Sequence, residues 1–343
     1  MLLQACLLPG SAATDALRRW RAENNLDSID LASSKILALL FRRHGEQALD
    51  RDLHARAYVA YCTTWQNNQK RLLSAATLIR DLNRAGVRAL LMKGAALSIR
   101  HYRDAGVRPM DDVDVLVPRE SLRPAVEALE RAGWQAEGGF NRDDVIRRSR
   151  VMHAWQFERG QEHADLHWNP VLRCFSPEVA GLFWASTEAA TLFGKQILIP
   201  SPADLLFHAC AHGLQWSWTP QIRWIPDAIS ISSGPVDWER IAILAEKAEM
   251  SVRLHRGLRY LRNVFQAPIP ESLLARLENA GGAHEVREYD LLQRECPLGF
   301  ADRVHWHVSN FRRIRRFDSN WRHRFGPVSF AEYLLLFPKL SAD

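Results

Sequence analysis

A chain of 343 residues, 47% hydrophobic and 24% charged, is too apolar for a disordered segment and long enough for about two or three packed units. A formal net charge of +6 and a pI of about 9.2 set a mild bias toward acidic partners such as nucleotide phosphates or nucleic acid. Five scattered cysteines, Cys6, Cys62, Cys174, Cys210 and Cys296, argue against a disulfide framework or a cysteine metal site and predict a cytoplasmic protein, and no stretch approaches the ~20 apolar residues of a membrane span.

The opening MLLQACLLPGSAA is hydrophobic like a signal peptide but has no basic start and too short an apolar run, so it predicts a buried helical turn. From Ser11 to about Ala85 the pattern is helical. Thr14 or Asp15 is the expected cap of a helix holding Leu17 and Trp20, an amphipathic run covers Ile29 to Phe41, and a third covers Tyr58 to Leu82 with Gly86 as its stop.

Val87 to Val117 then reads as strand, glycine turn, helix, loop and strand. The apolar run Val87 to Met92 ends at Lys93-Gly94, and Ala95 to Arg100 favours helix. A glycine there lets backbone N–H groups approach an anion such as phosphate, with a plain structural turn as the competing reading. On the strand Val113 to Val117, Asp112 and Asp114 are two residues apart and project to one face, while Val113, Val115 and Val117 enter the core. Neighbouring carboxylates repel unless a cation lies between them, and oxygen ligands suit Mg²⁺; a solvated acidic turn is the alternative. A third acid is expected on an adjacent strand. His153 to Arg159 and Glu162 to Trp168 alternate about Gly160-Gln161 as a hairpin, whose second strand places Asp165 and His167 on one face.

Between these strands, Ser121 is the expected cap of a helix running to Arg131, a short strand follows at Trp134 to Glu137, and Asn141 to Arg150 reads as a solvated basic helix rather than a phosphate site. Beyond the hairpin, Pro177 to Leu192 and Ser201 to Gln215 are predicted helices, the second with Pro202 at its first position. His208 and His212 stand one turn apart, a spacing that can bind zinc, but Ala209 occupies the glutamate position of an HExxH motif, so a packed or substrate-facing pair is the expectation. Arg223, Trp224 and Asp227 fall in a short helix, and Trp238 to Lys247, Val252 to Phe265 and Glu271 to Glu278 complete a helical region. Arg303 to Arg324, with Arg312, Arg313, Arg315, Arg316, Arg322 and Arg324, predicts an exposed cationic helix in preference to a nucleic-acid or membrane surface.

The ordered set Lys93-Gly94, then RPMDDVDVLV over 108–117, then ADLHW over 164–168, resembles the uncharacterised nucleotidyltransferase family of the polymerase-β-like superfamily. The Lys93-Gly94-Ala95 turn departs from the superfamily's Gly-Ser form but is similar to that of this subfamily. The resemblance implies an α+β fold: a small mixed sheet over 86–200, flanked by helical regions over 1–85 and 201–343. It implies transfer of a nucleoside monophosphate from an NTP, expected to be ATP, to an acceptor hydroxyl with release of pyrophosphate. Two Mg²⁺ ions on Asp112, Asp114 and Asp165 would assist. Lys93, Gly94 and Arg108 are the expected triphosphate contacts, Arg108 being held extended by Pro109, with an ion pair to Asp111 as its structural alternative. His167, His208, His212, Arg223 and Asp227 are the expected substrate-side residues. A small-molecule, peptide or protein acceptor is favoured over nucleic acid, and a non-catalytic nucleotide-binding or protein-partner module is the rival reading.

Overall fold

Seven strands form one mixed sheet in the computed structural model, which describes residues 1–45, 49–214, 222–294, 299–317 and 328–337. The strands are β1 (Leu90–Leu91), β2 (Val113–Leu116), β3 (Gln135–Ala136), β4 (Ala154–Arg159), β5 (Glu162–His167), β6 (Glu188–Leu192) and β7 (Lys195–Ile199). Their order is β3-β4-β5-β2-β1-β7-β6. Strand β2 is central because Val113, Val115, Leu116 and Val117 can be buried on both faces, each at 1% exposure or less. It runs antiparallel to β1 and parallel to β5, and the β4–β5 hairpin follows the predicted alternation. The fold is α+β, as the resemblance implied, with helices making up most of the described residues.

One prediction fails at the sheet's other edge. The stretch read as a single helix from Pro177 to Leu192 is a helix only over Pro177–Ala185, after which β6 and β7 form a second hairpin. Its turn residues Phe193 and Gly194 both have positive φ, the geometry a two-residue hairpin turn requires. The alanines of β6 favour helix locally, but Ile197 and Ile199 of β7 are buried and Leu198 pairs with Leu90 of β1, so tertiary packing overrides that preference. Two helix starts also differ. The helix carrying Leu17 and Trp20 spans Gly10–Glu23, beginning before Thr14, and Ser121 makes no side-chain cap to the helix Leu122–Arg131.

The 34-residue helix Arg51–Arg84 lies across the sheet and shares its core through Leu72, Ala75, Leu78, Ile79 and Leu82. Fully buried on that helix, Asn68 donates to the carbonyls of Ala105 (2.6 Å) and Arg108 (2.7 Å) and accepts from the Met110 amide (3.2 Å). The loop entering β2 is therefore hung from the helical region. The same core continues into the helices Pro202–Gly213, Trp224–Ser232, Trp238–Ala248, Ser251–Phe265 and Glu271–Ala280. No helix among the described residues is long and apolar enough to cross a membrane.

The basic runs are largely internal fasteners. Arg142 pairs with Glu127 and Glu130, Arg148 donates to the Leu336 carbonyl at 2.6 Å, and Arg150 meets Glu332 at 2.5 Å. On the helix Phe300–Phe317, Arg312, Arg315 and Arg316 are exposed, but Arg313 is buried, donating to the carbonyls of Ala248 and Glu249 and pairing with Glu288. The expectation of a wholly exposed cationic helix is corrected at that residue, whose guanidinium is consumed by buried acceptors. Arg322 and Arg324 lie outside the described residues, as do Gln215, the predicted end of its helix, and Cys296.

Candidate active site

The parallel register of β2 and β5 sets Asp114 directly beside Asp165. Asp114 is 3% exposed, and Asp112 and Asp165 are partly buried. Two residues beyond Asp165 on the same face, His167 places Nε2 3.0 Å from Asp114 Oδ1. A carboxylate only accepts, so the imidazole donates from Nε2–H. The potential ligand atoms of Asp114, Asp165 and His167 all lie within 4.8 Å of one another, the one such group of three among the described residues. Asp112 stands outside that set and lines the adjoining cavity.

Lys93 enters the same acidic space. Its Nζ pairs with Asp114 Oδ1 and lies 3.9 Å from Asp165 Oδ2. At the end of β1 this lysine, not the glycine after it, takes the left-handed conformation, with φ 47°. Gly94 is needed for room: a Cβ there would stand 2.7 Å from Met110 Cγ and collide with Arg108 Nη1. The predicted close approach at Gly94 is thus made first by the protein's own side chains.

Charge is unevenly balanced among the acids. Burial, then the neighbouring Asp114 charge, pushes Asp112 up to about 6 and Asp165 up to about 7. At Asp114 burial acts in the same direction but is outweighed by the Lys93 ammonium and the His167 hydrogen bond, which hold it well below the usual carboxylate range. Burial also opposes the charge on Lys93, and Asp114, Asp165 and Asp112 together outweigh it, so the ammonium stays protonated. Three carboxylates thus face one ammonium. This oxygen-rich, under-neutralised set fits a hard divalent cation, with Asp114, Asp165 and Asp112 as the oxygen donors and His167 orienting Asp114.

The opposite wall is helical. A cavity of about 120 Å³ is lined by Lys93, Gly94, Arg108, Asp112 and Asp114 on the sheet side and by His208, His212, Arg223, Trp224 and Asp227 on the other. Arg108 does not pair with Asp111. It binds Asp227 through Nε (2.7 Å) and Nη2 (2.9 Å), while Asp111 pairs with Arg223 at 2.9 Å. Arg223 also donates to the Pro109 carbonyl at 3.0 Å, and the Tyr102 hydroxyl donates to Asp227 at 2.8 Å. His208 and His212 stack at 5.7 Å between ring centroids. Burial, then the Lys93 charge, lowers His208 to about 3 and His212 well below its ordinary value, so both are neutral imidazoles. Neither belongs to the metal-capable group.

The structure therefore gathers nearly all of the sequence-predicted residues at one place, with Asp165 and His167 joined to the cavity through Lys93 and Asp114. Sequence reasoning missed Asn68, Tyr102 and the crossed pairing of Arg108 and Arg223. One signal was available: Asn68 interrupts the buried stripe of Thr64, Leu72 and Ala75 at helical spacing.

A family model described as uncharacterised nucleotidyltransferase matches residues 31–266. No curated protein matches the chain.

Proposed function

We propose, from the premise that this chain belongs to the uncharacterised nucleotidyltransferase family and is an enzyme of that class, that it moves a nucleoside monophosphate from an NTP to an acceptor hydroxyl. The observation that carries the reading is the side-by-side register of Asp114 and Asp165, with Lys93 between them at the mouth of a cavity that Arg108 and Arg223 also line. Asp112, Asp114 and Asp165 would hold Mg²⁺, as two ions, which when bound supplies charge neutralisation and alignment of the phosphates.

The remaining chemistry falls to the chain's own side chains. Lys93 and Arg108 face the triphosphate, the first as a mobile point charge and the second as a fork fixed in direction by Asp227. The acceptor oxygen forms a bond to the α-phosphorus as the bond to the bridging α–β oxygen breaks, and pyrophosphate leaves with that electron pair. The acceptor proton passes to Asp165, the carboxylate that stands beside Asp114 in the strand register. His208 and His212, being neutral, offer hydrogen bonds to the acceptor without adding charge. A small-molecule, peptide or protein acceptor is favoured over nucleic acid because the sequence carries no recognisable RNA-binding motif, and burial of Arg313 removes one cation from the C-terminal basic helix.

An α-labelled NTP supplied with Mg²⁺ and a cell extract tests the reading: label passes to an acceptor, pyrophosphate appears, and Asp114→Ala abolishes both while the protein stays folded. Undiminished transfer by Asp114→Ala overturns the assignment. Tight NTP binding with no labelled product from any acceptor would favour the non-catalytic module.

A further inference from the structure

Lys93 occupies a peculiar position for a phosphate ligand. Its ammonium is not directed only at the cavity but is held between the two carboxylates that face each other across β2 and β5, paired with Asp114 Oδ1 and 3.9 Å from Asp165 Oδ2. Asp114 Oδ1 already accepts from His167 at 3.0 Å, so this oxygen is occupied from two sides. The space that the ligand atoms of Asp114, Asp165 and His167 enclose is thus approached by a cation belonging to the chain itself. The side chain remains 16% exposed and also lines the cavity where Arg108 stands, so its ammonium borders both the acids and that cavity on a flexible four-carbon stem.

We propose that Lys93 is a tethered counter-cation of the acid cluster that competes with a divalent ion for Asp114 until a nucleotide's phosphates draw the ammonium away. This rests on the acid cluster being the metal site of the proposed transferase. Like charges a few ångströms apart in a poorly solvated cleft repel strongly, so the ion binds weakly while the lysine is in place. A triphosphate offers the ammonium an alternative partner, and the vacated oxygen becomes available to the ion. Metal and nucleotide then bind with positive coupling, and the coupling is reciprocal. The arrangement also keeps the two elevated acids, Asp112 and Asp165, from facing a wholly negative cleft when no ligand is bound.

Mn²⁺ titrations of the full chain, read by the paramagnetic resonance signal of the free ion, test this with and without an α,β-methylene NTP. Wild-type protein is expected to bind Mn²⁺ weakly alone and about tenfold or more tighter with the analogue; Lys93→Met is expected to bind Mn²⁺ alone about tenfold or more tighter than wild type and to lose most of the analogue's enhancement. Lys93→Arg, which keeps the charge, should stay as weak as wild type. Circular dichroism confirms folding, and Lys93→Gln replaces Lys93→Met if the latter does not fold. Mn²⁺ binding by the neutral variant no tighter than wild type overturns the inference. Asp114→Asn separates the two levels: if it abolishes Mn²⁺ binding while the lysine variants change nothing, the metal site stands and the counter-cation falls, whereas wild-type Mn²⁺ binding by Asp114→Asn removes the metal site itself.

Discussion

Arg108 and Asp227, 119 residues apart in sequence, meet through two parallel hydrogen bonds of 2.7 and 2.9 Å, and the Tyr102 hydroxyl closes on the same carboxylate. The pair joins the loop before the acidic strand to the helix Trp224–Ser232, with Asp227 only 2% exposed. Asp227→Ala strands a guanidinium and a phenol that are both mostly buried, and it is expected to cost about 3–5 kcal/mol in urea unfolding. The double variant Arg108→Met/Asp227→Leu, which removes both charges, should recover much of that loss. A cost below about 1 kcal/mol for Asp227→Ala would mean that solvent reaches the pair freely.

Asn68 has the same kind of importance for geometry. Asn68→Leu keeps the volume roughly constant but leaves two carbonyls and one amide of the loop 105–110 without their partner. About 2–4 kcal/mol of stability should be lost, and NTP affinity should fall because Arg108 and Asp112 are no longer held in place. Calorimetric titration of the folded variant measures the second effect separately from the first.

Gly94→Ala adds one methyl group against Met110 and Arg108 and is expected to destabilise by about 1–3 kcal/mol. Placing it on a Met110→Ala background should relieve a good part of the strain. If Gly94→Ala unfolds like wild type yet binds NTP poorly, the glycine instead serves the approach of phosphate.

In metal-free protein Asp165 gives a pH signature of opposite sign to the common carboxylate case. Its folded-state value lies near 7, above the unfolded 3.8, so between these values the folded state holds more protons and stability declines as pH rises toward 7. Asp165→Asn cannot ionise and escapes this decline. With chelator present, the variant should gain about 1–2 kcal/mol on wild type between pH 4 and pH 8, after allowance for solvent at a group 23% exposed. An unchanged difference across that range would place the Asp165 proton affinity near its ordinary value.

The central strand and its acid were readable because β2 is a short apolar run around Asp114 and β5 alternates about Asp165, both of them local signals. His208 and His212 were equally plain from helical spacing, although nothing local said that they would face Lys93. The β6–β7 hairpin was hidden because alanine-rich β6 is half exposed and is a strand only through its partner. The partners of Arg108 and Arg223 were illegible for a different reason. Arg108 has Asp104, Asp111, Asp112 and Asp114 within a few residues and Arg223 has only Asp227, yet each takes its partner from the other's neighbourhood, a choice made by how the helix Trp224–Ser232 packs across the loop, a long-range relation that carries no spacing rule.

The crossed pairs Arg108–Asp227 and Arg223–Asp111 bear on what can be inherited or transplanted as a working part. A fragment ending at residue 200 would contain Asp112, Asp114 and Asp165 and the whole sheet, yet would discard an ionic partner of Arg108, one of Asp111, and the imidazoles of the facing wall. The matched stretch 31–266 encloses both ends of each pair. Grafting the sheet alone into another scaffold would therefore deliver the acids with their arginine unmoored, and a graft that keeps both pairs and the Asn68 contacts has to reach from the helix Arg51–Arg84 to the helix Trp224–Ser232.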